Sequence, residues 1–352
     1  MINKIKIFLR FVSDAVNEKK ELEAVIVEKN IYLKSGYYHL GRSVGYHVFE
    51  KKPPSLVVSK GSVLSKVKYP LLSTVFFLVE YILPPILIQV KNNDRSVSAS
   101  QLMLSREGDI KVFDYRNQKV LVFPSTKDKY IRIVNSYYLL SLHLPIVNME
   151  INNDNKFYTE ALAQGITFSK VKVERQFEVV IQLLDCYLSN SALHSFNNNE
   201  ARNIFNNVIK INFESSVKEL LKENNKDIVS LMQSMPLIFS HCDLFGNNII
   251  VDVDSFKVID IEKACIRPVF FDVIHLVVTE YFEGNKLLLL DYVSKKLRYY
   301  FKGSIRVLFL SYLLIFIDEL SKESSSNTVN IDNYKLESIF EILDYIQNEG
   351  FR

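Results

Sequence analysis

The sequence has no tryptophan, few cysteines and no surplus of charge of either sign. Each shortage removes a class of protein. The three cysteines, Cys186, Cys242 and Cys265, are odd in number and widely spaced, with no Cys-x-x-Cys pair. They indicate neither a zinc site nor a disulfide framework, and a reducing cytoplasm is the simplest setting. Lys and Arg total 43 against 40 Asp and Glu, a net charge of +3. That balance makes no case for nucleic acid as a partner. The basic opening of the chain is followed by only a very short apolar run, so no secretory signal is expected. No repeat or low-complexity tract is evident. What is present is 48% apolar residues over 352 positions, enough for two or three packed units with a sizeable core.

The chain is organised around residues 238–272. Its central pattern is His241-x-Asp243-x4-Asn248, followed by Asp260 in Val-Ile-Asp-Ile-Glu. These side chains suit phosphoryl transfer. An Asp on a short loop can orient an acceptor hydroxyl and take its proton, while an Asn and a second Asp can hold Mg²⁺ against the phosphates of ATP. Residues 248–253 and 256–261 alternate like two strands, with Asp254-Ser255 as the turn. Such a hairpin brings Asn248 and Asp260 together, so one ion could be shared between them. Buried Asp and Asn beside a hairpin can also serve structure alone.

This stretch resembles the aminoglycoside phosphotransferase and choline kinase superfamily, relatives of the protein kinases. The matching positions are His241, Asp243, Asn248, Asp260, Glu262 and Asp272, the last within Phe270-Phe271-Asp272. The resemblance implies Asp243 as catalytic base, His241 as support of its loop, Asn248 and Asp260 as Mg²⁺ ligands, and Asp272 as a brace. Cys242 stands where the family usually has Gly. The implied fold is α+β and two-lobed, protein-kinase-like. A small antiparallel sheet forms the N-lobe, a mostly helical part the C-lobe, and an extra N-terminal region precedes both. The corresponding divisions are residues 1–95, 96–165 and 166–352.

In the small lobe, strands are expected within 102–113, about a turn at residues 106–109, and at 119–123, 147–151 and 156–162. A helix over 130–144, ending at Pro145, separates the second and third of these groups. The resemblance makes residues 105–109 the nucleotide loop, with Gly108 its one glycine, and residues 157–165 the hinge. Glu160, Ala161 and Leu162 would then lie beside the adenine. Two family features are missing. Val122 occupies the position of the phosphate-binding Lys, and no acid falls between Tyr130 and Asn148 to pair with it. Lys111, Lys119, Lys127 or Arg132 could supply the cation instead.

Helices are expected at 173–188, with a stripe of Phe177, Val180, Ile181, Leu184 and Tyr187, and then at 200–211, 213–224 and 228–235. Others are expected at 273–282, 286–301, 305–320 and 334–347. The run 305–320 reads as a buried helix, since it carries Arg306 and ends at Asp318-Glu319. Before residue 95 the reading is a helix over 5–25, strands at 24–27 and 32–38 broken at Ser35-Gly36, and histidines His39 and His47 in surface or packing roles. The apolar stretch 70–90 carries Glu80 and Pro84-Pro85 and reads as a core helix and strand. Its flanking lysines, Lys60, Lys66, Lys68 and Lys91, leave peripheral contact with anionic lipid open.

The expected activity is transfer of phosphate from ATP, with Mg²⁺, to a hydroxyl of a small molecule in the cytoplasm. Sugars, amino sugars and choline- or ethanolamine-like alcohols are the acceptor classes, with a cell-envelope connection conceivable. A cation cage would have to come from the 19 Tyr and 24 Phe. Glu280 and Glu283 could pair with an amine or be solvated helix charges. The competing reading is a pseudokinase-like binding or scaffold protein, which the missing Lys and Glu favour.

Overall fold

The computed structural model describes residues 36–40, 46–49, 86–88, 101–104, 108–189, 195–284, 287–301, 304–323 and 333–348. The expectations for 5–25, 24–27, 32–35, 70–85 and the linker 91–100 lie outside these residues, as does any lipid contact of that apolar stretch. The chain divides into two compact units, residues 1–132 with 148–162 and residues 133–147 with 163–352.

The first unit is built on an eight-stranded sheet ordered β3-β1-β2-β4-β5-β6-β8-β7. The strands are β1 (Gly36–Leu40), β2 (Tyr46–Phe49), β3 (Ile86–Ile88), β4 (Gln101–Leu104), β5 (Ile110–Asp114), β6 (Lys119–Phe123), β7 (Met149–Asn152) and β8 (Phe157–Ala161). Every pairing is antiparallel. The strands expected from residue 102 onward are all present. The sheet also runs on into the N-terminal region, because Tyr46 and His47 of β2 pair with Leu102 and Gln101 of β4. His39 and His47 are partners across the β1–β2 ladder.

Alternation sets the inner face. Ile110, Val112, Val120 and Val122 are buried while Lys111, Phe113, Lys119 and Leu121, which alternate with them, are partly exposed. The β5–β6 turn is closed by Asp114, whose carboxylate accepts from the Asn117 backbone N–H at 3.1 Å and its amide at 2.7 Å.

Helix α1 spans Lys127–Leu140, earlier at both ends than the expected 130–144. Thr126 starts it, its Oγ1 accepting from the Lys129 N–H at 3.1 Å and its carbonyl from the Tyr130 N–H at 3.1 Å. At the other end both His143 and Leu144 turn back onto the Leu140 carbonyl before Pro145. Sequence periodicity carries no sign of this tightened turn.

The second unit is mostly helical: α2 (Val173–Ser189), α3 (Asn198–Lys210), α4 (Ser215–Glu223), α5 (Asn225–Ser234), α6 (Phe271–Gly284), α7 (Leu287–Phe301), α8 (Ile305–Glu323) and α9 (Asn333–Asn348). The α+β class holds. In α2 the buried face is Gln176, Val179, Val180, Leu183, Leu184 and Tyr187. It is rotated from the expected stripe, because Phe177 stacks on Tyr292 of α7 at 4.2 Å instead of entering the core. The asparagine run that breaks the pattern is the start of α3. Asn197 caps it in a reciprocal box with Glu200, each side chain bonding the other's backbone N–H at 2.9 Å. Helix α8 is deeply buried through Leu308, Leu310, Leu314 and Ile317, as its apolar run implies. Among the described residues no single helix is long and apolar enough to cross a membrane.

Candidate active site

The pattern His241-x-Asp243-x4-Asn248 occupies the link between two small antiparallel pairings in the second unit. Its entry is β10 (Leu237–Ser240), paired with β13 (Cys265–Pro268) so that Ser240 lies opposite Cys265. Its exit is a hairpin of β11 (Ile249–Val251) and β12 (Phe256–Val258), with β9 (Ile166–Thr167) on the free side of β11. The Asp252 N–H donates to the Ser255 carbonyl at 2.9 Å and closes the turn at the expected place. Beyond the last rung, the Ile259 N–H donates to the Asn248 carbonyl at 3.0 Å. Asn248 and Asp260 therefore stand at the same end of the hairpin.

The loop is held from below by Asp272, in the first turn of α6. Its buried carboxylate accepts from the backbone N–H groups of His241 at 2.7 Å and Cys242 at 2.9 Å, and from the Tyr187 hydroxyl. Burial, and then the adjacent Asp272 charge, raise the Tyr187 phenol well above its usual range, so the O–H stays a donor. His241 is fully buried. Its Nε2 lies 2.9 Å from the Ile259 carbonyl, which can only accept, and its Nδ1 receives the Asp243 N–H at 3.3 Å. These two bonds select the neutral tautomer with the proton on Nε2. His241 thus joins the loop to the hairpin.

Asp243 keeps its carboxylate partly open, 29% exposed, with the Lys263 ammonium 3.6 Å from Oδ1. Burial raises its pKa above the ordinary carboxylate value; Lys263 opposes the shift and the Asp260 charge adds to it. The Asn248 side chain is oriented by donation of its amide to the Asp243 carbonyl at 2.9 Å. Its nitrogen is thereby committed and Oδ1 is the end offered elsewhere. Asp260 has left-handed backbone angles, φ 63 and ψ 58, and opens the 3-10 turn Ile261–Lys263 that carries Glu262. An amide oxygen and a carboxylate are hard donors of the kind Mg²⁺ takes, so the residues fit that ion.

Among the described glycines, Gly246 makes the closest approach. A Cβ there would lie 1.9 Å from Glu280 Oε1 and 2.0 Å from Ser169 Oγ. Ser169 donates to Glu280, which is buried on α6. Glu280 is therefore not a solvated helix charge; it is an internal strut under the loop. The Glu283 side chain lies outside the described residues.

The residues expected on the nucleotide side belong to the first unit. Gly108 has φ 83 and precedes Asp109, while residues 105–107 of the expected loop lie outside the described residues. Glu160 is paired on both sides, with Val120 and Met149. The Ala161 N–H donates to the Asn148 carbonyl at 2.9 Å and the Leu162 N–H to that of Gln118 at 2.8 Å. Val122 is fully buried. Lys119 forms an exposed pair with Glu150 at 2.9 Å, whereas Lys129 of α1 and Asp109 form a deeply buried one. In the buried pair the cation is on α1 and the acid immediately precedes β5. Sequence reasoning missed Lys129, Lys263, Ser169 and the role of Tyr187. The last was in plain view as one polar tip on an apolar stripe.

A family model described as a phosphotransferase enzyme family matches residues 195–300, the segment that holds all six matching positions from His241 to Asp272. The resemblance to the aminoglycoside phosphotransferase and choline kinase superfamily is thus borne out over that segment. No curated protein matches the sequence. Among solved structures, the chain is similar to the choline kinase LicA from Streptococcus pneumoniae at 14% identity and a TM-score of 0.44, covering 68% of this chain and 89% of that one. It is similar to the aminoglycoside phosphotransferase APH(4)-Ia at 16% identity and a TM-score of 0.45, covering 71% and 91%. The corresponding figures for a Plasmodium vivax ethanolamine kinase are 17%, 0.43, 71% and 82%.

Proposed function

We propose that this protein is an ATP- and Mg²⁺-dependent phosphotransferase that phosphorylates a hydroxyl of a small molecule. The observation that carries the reading is one hydrogen-bonded frame: Asp272, His241 and the β11–β12 hairpin together fix Asp243, Asn248 and Asp260. Asp243 accepts or orients the proton of the attacking hydroxyl. Lys263, 3.6 Å away, favours its ionised form. Asn248 through Oδ1 and Asp260 through its carboxylate would hold Mg²⁺, which when bound neutralises phosphate charge. Gly108 and the backbone of Glu160, Ala161 and Leu162 are the nucleotide-side residues of this proposal. ATP as donor goes with a cytoplasmic setting.

A sugar, amino sugar or choline-like alcohol is the acceptor class. The reading is tested by Mg²⁺-dependent ATP consumption against a panel of these compounds, with Asp243→Ala and Asp260→Ala as controls. Stimulation by one acceptor, lost in both variants, is the expected result. A second reading, a binding or scaffold protein without turnover, is favoured by the buried Val122 and by Lys129 being engaged with Asp109. Absence of Mg²⁺-dependent ATP binding would decide for it.

A further inference from the structure

Cys242 and Cys265 are 23 positions apart in sequence, yet their Sγ atoms lie 2.6 Å apart. The strand register produces this meeting. Ser240 is opposite Cys265 across β10–β13, and Cys242 leaves the strand with a left-handed backbone, φ 65. The Cys242 thiol lies 3.6 Å from the carbonyls of both Ser240 and Cys265. Cys186, on α2, is not part of the cluster.

Two chemistries suit paired thiols, a shared soft metal or a disulfide. Glu319 completes a three-ligand group with the two cysteines. Against a metal, tetrahedral zinc with Zn–S bonds of about 2.3 Å holds its sulfurs roughly 3.7 Å apart. In addition, Glu319 is already paired with Arg267, whose guanidinium repels a cation beside it. The two thiols are also unequal in the way thiol–disulfide exchange requires. The bond with Cys242 and the nearby Arg267 lower the Cys265 pKa, while burial is the main cause of the rise at Cys242. Cys265 is the more accessible of the two, so it is the attacking thiol and Cys242 the resolving one.

We propose that Cys242 and Cys265 form a reversible intramolecular disulfide, made by exchange with a low-molecular-weight disulfide such as oxidised glutathione. The Cys265 thiolate attacks one glutathione sulfur, giving a mixed disulfide and releasing one glutathione thiolate. Cys242 then loses its proton and attacks the Cys265 sulfur, expelling the second glutathione. Two protein thiols are oxidised to one disulfide, one glutathione disulfide is reduced to two thiols, and the two cysteine protons end on them. The bond ties the His241–Asp243 loop to β13 and encloses Asp243, Asn248 and Asp260 in a covalent ring. That this ring surrounds catalytic groups rests on the proposed phosphotransferase reading; formation of the bond does not.

The test equilibrates the full chain in mixtures of reduced and oxidised glutathione, quenches in acid, alkylates free thiols and maps tryptic peptides by mass. The expected product in oxidising mixtures is a cross-link between residues 227–257 and 264–286, reversed by reductant. A Cys186→Ser variant should form the same cross-link. In Cys242→Gly, which suits the left-handed backbone, Cys265 should stop at the mixed disulfide. Alkylation of Cys242 and Cys265 in every mixture, a lasting mixed disulfide on Cys265 in the unaltered chain, or a cross-link through Cys186 overturns the proposal. None of these readouts depends on ATP turnover, so failure of the phosphotransferase reading would leave the disulfide result intact, and the reverse holds as well.

Discussion

Replacement of Asp272 by Asn tests the frame on which the proposed chemistry stands. The buried carboxylate accepts three hydrogen bonds, from the N–H groups of His241 and Cys242 and from the Tyr187 hydroxyl. An amide of the same shape has one oxygen and one NH₂. With its oxygen kept at the Oδ2 position, the NH₂ confronts the Cys242 N–H; turned over, it confronts the His241 N–H. One buried donor left unsatisfied costs about 1–3 kcal/mol, and the loss of charge assistance on the surviving bonds adds about 1 kcal/mol. The expected loss is therefore about 2–4 kcal/mol. The chain has no tryptophan, so urea unfolding is followed by far-ultraviolet circular dichroism. The midpoint should fall with little change in slope. Tyr187→Phe removes one bond and leaves both backbone donors satisfied, so it should lose less, about 1.5–3 kcal/mol. Because both changes strike one carboxylate, the double variant should lose clearly less than the sum. An Asp272→Asn protein within about 0.5 kcal/mol of the unaltered chain would refute the reasoning, since that is the ordinary spread of inconsequential substitutions.

Asp243 binds its proton more tightly in the native state than in the unfolded one, because burial raises its pKa above 3.8. Stability should then fall as pH rises from that value through the raised one. Asp243→Asn should accordingly unfold at higher urea than the unaltered protein at pH 7, lose turnover, and lose its stability advantage at pH 3. Gly246→Ala places a methyl group within 2.0 Å of both Glu280 and Ser169, so it should lower stability and, on the proposed reading, turnover; Gly246→Ala with Glu280→Gln and Ser169→Ala should recover part of the stability in the same urea assay. Lys129→Met leaves Asp109 charged and buried, with an expected loss of about 3–5 kcal/mol by urea unfolding, whereas Lys129→Met with Asp109→Leu should lose much less.

The first unit's strands from residue 102 onward and every helix of the second unit were legible because each has a clear period of apolar residues, whereas β9, β10 and β13, of two to four residues each, are too short to show one. The hairpin was legible because its turn chemistry and its alternation agree. The set from His241 to Asp272 could be read because its members lie within one short stretch of chain. What escaped involves partners far apart in sequence or of ordinary type. Tyr187 meets Asp272 across 85 positions and Ser169 meets Glu280 across 111, and neither spacing has a sequence signature. Lys129 lies just before the expected helix start at residue 130, and its partner Asp109 is 20 positions away. The cysteines were read as unconnected because their spacing matches no motif, while strand pairing brings two of them together.

Four described residues other than glycine have positive φ. Gln118 and Lys156 lie in turns of the first unit, whereas Cys242 and Asp260 flank the candidate site. A left-handed backbone costs a residue with a Cβ about 1–2 kcal/mol, which glycine would avoid. The surrounding bonds enforce the conformation at both positions. The Cys242 N–H is held by Asp272, and the Ile259 N–H, just before Asp260, by the Asn248 carbonyl. Strain kept where glycine would relieve it implies that the side chain has a use there. For Asp260 the use is a carboxylate at the end of the hairpin beside Asn248. For Cys242, at a position the resembling family usually fills with glycine, the only functional group is a thiol, and that thiol faces Cys265. The left-handed backbone thus supports the proposed metal role of Asp260 and the proposed sulfur chemistry of Cys242 in the same way.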